Sequence, residues 1–319
     1  MSLNEIYKDI LCLFNRNKHD DYIANLSHLY ERFYELLKKE NEELARDVLY
    51  STTTILSFIN GEKNGSELLI ENVNFPSLII QYKEVFYRAR SVTSEVKERD
   101  FNAQCMFHIP LMSKKMNSGR FDREGMIRLY LSKSCFSCFC EVTPVEGEDL
   151  MISLFKFIHT EPLQIIDFRL KSEFDFNELR LKEKRNYLLC LPYILACMFI
   201  KNGSLEYIFP QYVMSVLDYM DEKLQKKYDG NKNKVFTPYI GLSYTSVHFD
   251  NEFIRRENKD CLYDNYVFLA KHGKKNTGTS KLLSDMFVVT NPLRCQWRQK
   301  SDYKRIEDSL NGMECYQIE

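Results

Sequence analysis

Short β-prone runs follow one another after residue 76, and two long helical patterns break into their series. The runs cover 85–92, 127–131, 151–158, 163–168, 239–249, 266–270 and 287–293, and the helical patterns cover about 177–201 and 206–228. A doubly wound parallel sheet would alternate strand and helix regularly. This chain does not, so an α+β fold is expected, with helices inserted into a sheet domain. Ahead of residue 60 the pattern is helical: Ile23, Leu26, Tyr30, Phe33 and Leu37 recur at three- and four-residue spacing. A second stripe over 41–60 carries Leu44, Val48, Leu49, Ile55, Leu56 and Ile59 and stops at Gly61, where a glycine C-cap is expected. The stretch 61–76 is rich in Gly, Asn, Ser and Glu. It divides the chain into a helical N-terminal extension, 1–75, and a sheet domain, 76–319.

The balance of charge excludes some partners. The formal net charge is −1, and a nucleic-acid-binding domain normally carries a clear positive excess. The 22 Phe and 20 Tyr supply a large core and argue against disorder. The longest apolar run, 187–200, is shorter than the ~20 residues that span a bilayer and contains Pro192. The opening segment has acidic residues where a signal peptide is basic. The 10 cysteines are dilute, and Cys12, Cys190 and Cys197 lie in apolar segments. Reduced thiols in a cytoplasmic protein are the expectation.

Metal and phosphate motifs fail on spacing. Cys135-Phe-Ser-Cys138-Phe-Cys140 offers one CxxC pair, but zinc needs a second and none stands at suitable distance. The six histidines are scattered, so no metal is expected. No GxxxxGK[ST], GxGxxG or GxSxG occurs. The basic segment 271–281 reads as a solvated turn.

One constellation remains. In Phe86-Tyr-Arg88-Ala-Arg90-Ser91 two arginines alternate along a strand and so share a face. Then come Phe107-His-Ile-Pro110, Gly119-Arg120-Phe121, Leu129-Tyr130-Leu131 and Cys140-Glu141-Val142, with Tyr130 10 residues beyond Arg120 and Glu141 11 beyond Tyr130. Arginine forms bidentate pairs with phosphate and equally serves in surface ion pairs. Glu141, after an apolar stretch, is expected to be partly buried, as a site carboxylate or in a salt bridge to Arg120. Tyr130 in an apolar strand fits core packing as well as ligand contact. The residues by themselves describe an α+β protein with a candidate anion site.

The order of these motifs resembles the RES family, the toxins of bacterial RES–Xre toxin–antitoxin pairs and related stand-alone proteins. The likeness runs from about Phe86 to Pro292. Tyr87-Arg-Ala-Arg90 resembles the family's first strand, and its Arg, Tyr and Glu fall on Arg120, Tyr130 and Glu141. Its serine falls on Ser246 of Tyr244-Thr-Ser246, with Ser243 as the weaker candidate, and 283–292 resembles the closing strand. Phe107-His-Ile-Pro110 resembles a longer branch of the family; Phe121 stands where many members have tryptophan, and Cys140 where that branch often has an aromatic residue.

The resemblance implies an ADP-ribosyltransferase-like fold that degrades NAD by hydrolysis or phosphorolysis, with a separate antitoxin over the active site. It assigns the oxocarbenium-like ribose to Glu141, the pyrophosphate to Arg120 and Arg88, the nicotinamide to Tyr130, and a positioning hydrogen bond to Ser246. Two other readings stay open: transfer of ADP-ribose to a protein, and a non-catalytic module that binds a nucleotide or a partner. The N-terminal helices lie outside the resemblance.

Overall fold

The computed structural model describes residues 1–17, 22–60, 75–92, 102–108, 119–122, 126–143, 149–198, 207–228, 239–249, 251–255, 261–270, 278–296 and 302–318. The fold is α+β and, among the described residues, has one 10-stranded mixed sheet. In chain order the elements are α1 (Leu3–Asn17), α2 (Tyr22–Lys38), α3 (Glu42–Ile59), β1 (Ser77–Ile80), β2 (Val85–Ser91), β3 (Arg128–Ser132), α4 (Cys135–Val142), β4 (Asp149–Phe157) and β5 (Leu163–Phe168). They continue as α5 (Glu173–Glu178), α6 (Leu181–Met198), α7 (Ile208–Tyr228), β6 (Gly241–Thr245), α8 (Asn251–Arg255), β7 (Asp264–Leu269), α9 (Lys281–Met286), β8 (Phe287–Thr290), β9 (Leu293–Gln296), α10 (Asp302–Asn311) and β10 (Cys315–Gln317). No helix among the described residues is long and apolar enough to cross a membrane.

The chain forms two compact units. The first takes 1–76, 167–216 and 249–259 and is mainly helical. Its stripe residues Ile6, Ile10, Phe14, Leu26, Leu29, Phe33 and Leu37 are fully buried, as the 3.6-residue period requires. Asn41 caps α3 by accepting the Leu44 amide at 2.9 Å. Asn60 takes the C-cap position; Gly61, the expected cap, lies outside the described residues. Buried tyrosine hydroxyls are paired: Tyr7 donates to the Lys171 carbonyl at 2.7 Å, and Tyr30 to the Pro192 carbonyl at 2.5 Å.

The second unit, 77–166, 217–248 and 260–319, holds the sheet. Its strand order is β1-β5-β6-β7-β3-β2-β4-β8-β10, with β9 also on β4. Most neighbours are antiparallel. Between β5 and β6, however, Ile240 N bonds to Gln164 O and Ser243 Oγ to Ile166 O, so the two strands advance in the same sense. A parallel pair needs a long crossover, and α5, α6 and α7 lie between these strands in the chain. One sheet face buries the aromatic cluster Phe86, Phe155, Phe157, Tyr266, Phe268 and Phe287. The other packs Tyr87, Ile152 and Leu154 against Cys135, Cys138 and Phe139 of α4 and Ile306 and Leu310 of α10. The closing segment, expected as one strand over 287–293, is two: β8 and β9 pair with successive parts of β4. Pro292 has no N–H for the ladder and stands at the break, where Thr290 Oγ1 accepts the Leu154 amide at 3.0 Å.

Candidate active site

The site lies where β2 and β3 meet. These strands are paired at one position, Tyr87 with Ser132, while β2 pairs with β4 along its whole length. Arg88, one residue beyond that pairing, lies within electrostatic range of Tyr130 and Asp122. Its Nη1 is buried with no hydrogen-bond partner among the described residues. Burial, then the neighbouring Arg90, pushes the Arg88 guanidinium well below its usual pKa. Arg90, expected to share the face, is engaged elsewhere: its Nη2 donates to the Phe107 carbonyl at 2.6 Å.

Arg120 is half-buried in a turn closed by two backbone bonds, Gly119 N to Asp122 O at 3.0 Å and Asp122 N to Gly119 O at 3.3 Å. The turn is fastened to β3 because the Phe121 amide donates to Tyr130 Oη at 3.2 Å. Phe121 packs on Tyr244 of β6 with ring centroids 4.9 Å apart. Tyr130 thus joins the Arg120 turn to the sheet. Burial and then the adjacent Asp122 charge hold its phenol well above the ordinary range. Asp122 itself is buried, and desolvation raises its carboxyl to about 6 despite the Tyr130 hydrogen bond and the Arg128 and Arg88 charges. Arg128, beneath Tyr130 on β3, is buried and ion-paired with Asp218 of α7.

Glu141 departs from expectation in its burial. It lies in the last turn of α4 and is exposed, because that helix turns Cys135, Phe136, Ser137, Cys138 and Phe139 inward. No salt bridge to Arg120 is seen. Glu141 Oε1 instead accepts from Asn265 Nδ2 at 2.8 Å. Asn265 lies on β7 opposite Ser132, and its Oδ1 accepts from Ser132 Oγ at 2.5 Å and Ser137 Oγ at 2.7 Å. Tyr130 and Ser132 share a face of β3, so the carboxylate network and the tyrosine stand on one side of the sheet.

Ser246 follows β6 and is fully buried; its amide donates to Tyr263 O at 2.6 Å and its Oγ accepts from the His248 amide at 3.2 Å. Among the described residues, none of its hydrogen bonds reaches Tyr130 or Glu141. Ser243, within β6, donates to Ile166 O at 3.3 Å. The structure therefore brings Arg88, Tyr130 and Asp122 together, ties the backbone turn that carries Arg120 to Tyr130, and fixes Glu141 through Asn265. Asp122 and Asn265 were not singled out from the sequence. A polar pair, Asp264-Asn265, opening an otherwise apolar strand was the available signal for Asn265. Among the described residues, no group of three or more His, Cys, Asp and Glu is placed to hold a metal ion. Compared with known proteins, the chain matches no family model, no curated protein and no solved structure.

Proposed function

We propose that the chain consumes NAD by cleaving the bond between nicotinamide and ribose, and that its second unit is an ADP-ribosyltransferase-like domain of the RES kind. The observation that carries this reading is Arg88, whose buried guanidinium keeps a nitrogen without a partner among the described residues, beside Tyr130 and Asp122. A buried charge so placed costs stability unless an anion reaches it. The pyrophosphate of NAD is an anion of the shape a guanidinium fork grips. Arg88 and Arg120 bind it, and Tyr130 orients the nicotinamide. Glu141, held by Asn265, faces the positive charge that develops on the ribose as the bond breaks. Nicotinamide leaves as a neutral molecule, so the reaction needs no separate acid. Ser246 supports the pose through the turn it closes after β6.

Under this reading the protein is a toxin or defence effector of the bacterial cytoplasm, restrained by a separate inhibitor protein. The acceptor is water or phosphate. The exposure of Glu141 also favours a second reading, transfer of ADP-ribose to a protein, since a large acceptor can approach an open carboxylate. Incubating NAD with the protein, with and without phosphate, and separating the products tests both. Free nicotinamide with ADP-ribose means water, with ADP-ribose 1″-phosphate means phosphate, and NAD that stays intact until a protein is added means transfer.

A further inference from the structure

We infer that Asn265 is a positioning residue that holds the Glu141 side chain turned towards the site; the inference rests on the NAD-cleaving reading and assigns a residue to it. The argument begins with the amide's two ends. Asn265 is 1% exposed, so every polar atom it carries must be satisfied inside the protein. Its Oδ1 accepts from two serine hydroxyls that reach it from different elements, Ser132 of β3 and Ser137 of α4. With the oxygen so engaged, the Nδ2 end faces Glu141 Oε1 at 2.8 Å. Turning the amide over would exchange its donor and acceptor ends at all three contacts at once, so the network selects this orientation as a unit. Asn265 itself is anchored in the β3–β7 ladder opposite Ser132, which makes the brace as rigid as the sheet. Glu141 is otherwise a side chain on an exposed last helical turn, free to rotate. Among the described residues, ionisable groups near this network include the Cys138 thiol of α4, Tyr87 of β2 opposite Ser132, Glu307 of α10, which accepts the Cys135 amide at 2.7 Å, and Asp264, next to Asn265 on β7.

Asn265→Asp tests the inference because it keeps the shape, removes the donor and adds a second carboxylate. At neutral pH the turnover number should fall about 100-fold, as for loss of one preorganised donor, while KM for NAD changes little. As pH falls and the introduced carboxyl takes a proton, it can donate again, so activity should partly return on the acid side. A purely structural role would give a loss that pH does not restore. Asparagine-labelled protein supplies a second reading that needs no turnover: the Asn265 side-chain amide signal in NMR should move on Glu141→Gln, a change at an exposed site that the fold tolerates. Wild-type turnover by Asn265→Asp, or an amide signal indifferent to Glu141→Gln, would overturn the inference. An amide that responds in a protein releasing no nicotinamide would keep the brace and refute the NAD reaction instead.

Discussion

Replacing Arg88 by methionine should stabilise the free protein and abolish its response to anions. The reasoning is local. Arg88 Nη1 is sealed from solvent without a hydrogen-bond partner among the described residues, and burial opposes the charge on the guanidinium. An unsatisfied buried donor costs about 1–3 kcal/mol, more when it belongs to a charged group. Methionine keeps most of the aliphatic stem and removes the orphaned donor. The Arg88 charge does help to hold Asp122 ionised, which offsets part of the gain, so a net stabilisation of about 1–2 kcal/mol is expected. At roughly 2–4 °C per kcal/mol for a unit of this size, Tm should rise by about 2–8 °C. Thermal melts with and without inorganic pyrophosphate read both halves of the claim. Wild type should gain stability with ligand, by about 2.7 kcal/mol at a hundredfold excess over Kd, whereas the variant should gain none. A variant less stable than wild type, or one still protected by pyrophosphate, would refute the idea that Arg88 keeps an unpaired donor ready for an anion.

Three further outcomes follow from particular contacts. Asp122 holds its proton more tightly folded than unfolded, since burial raises it from 3.8 to about 6; this favours the fold fully below about pH 4 and is lost as pH rises through 6. Denaturation of wild type and Asp122→Asn at pH 4, 6 and 8 should show the variant gaining relative to wild type towards high pH, and a constant difference would contradict the raised carboxyl. Gly241→Ala should destabilise the sheet by about 1–3 kcal/mol or more, because a Cβ there would meet the Val267 carbonyl oxygen at 2.1 Å; an unchanged midpoint in urea would mean that β6 does not approach β7 so closely. The Cys138 thiol, pushed up to about 12 chiefly by burial, should resist alkylation at pH 8 in the native protein and react once the chain is unfolded.

What the sequence disclosed and what it hid divide along physical lines. The run at 163–168 is β5 with the same bounds, and Leu26, Tyr30, Phe33 and Leu37 of the stripe are buried on α2, because short-range periodicity reports which side of an element is covered. Of the pattern over 177–201, residues 177–178 close α5, α6 runs Leu181–Met198, and 199–201 lie outside the described residues. Helical stripes do not mark where a turn intervenes. Sheet order was beyond reach: nothing local says that β6 lies beside β5 across three intervening helices. The same limit explains the site. Arg88, Arg120, Tyr130 and Glu141 stood out by residue type and spacing, yet the groups that govern them are distant in the chain. Asn265 meets Glu141 across 124 residues and Ser132 across 133. The burial of Glu141 was misjudged because the apolar run before it says which way α4 faces, not which residue its last turn leaves outside.

The most direct test of the account compares wild type and Glu141→Gln incubated with NAD, with nicotinamide followed by chromatography. Glu141 is exposed, so the change should leave the fold and its Tm intact. The account expects steady nicotinamide release by wild type and a loss of at least about 100-fold in the variant. Equal release by both proteins would show that Glu141 does not act on the ribose, and intact NAD in every tube would contradict NAD cleavage itself.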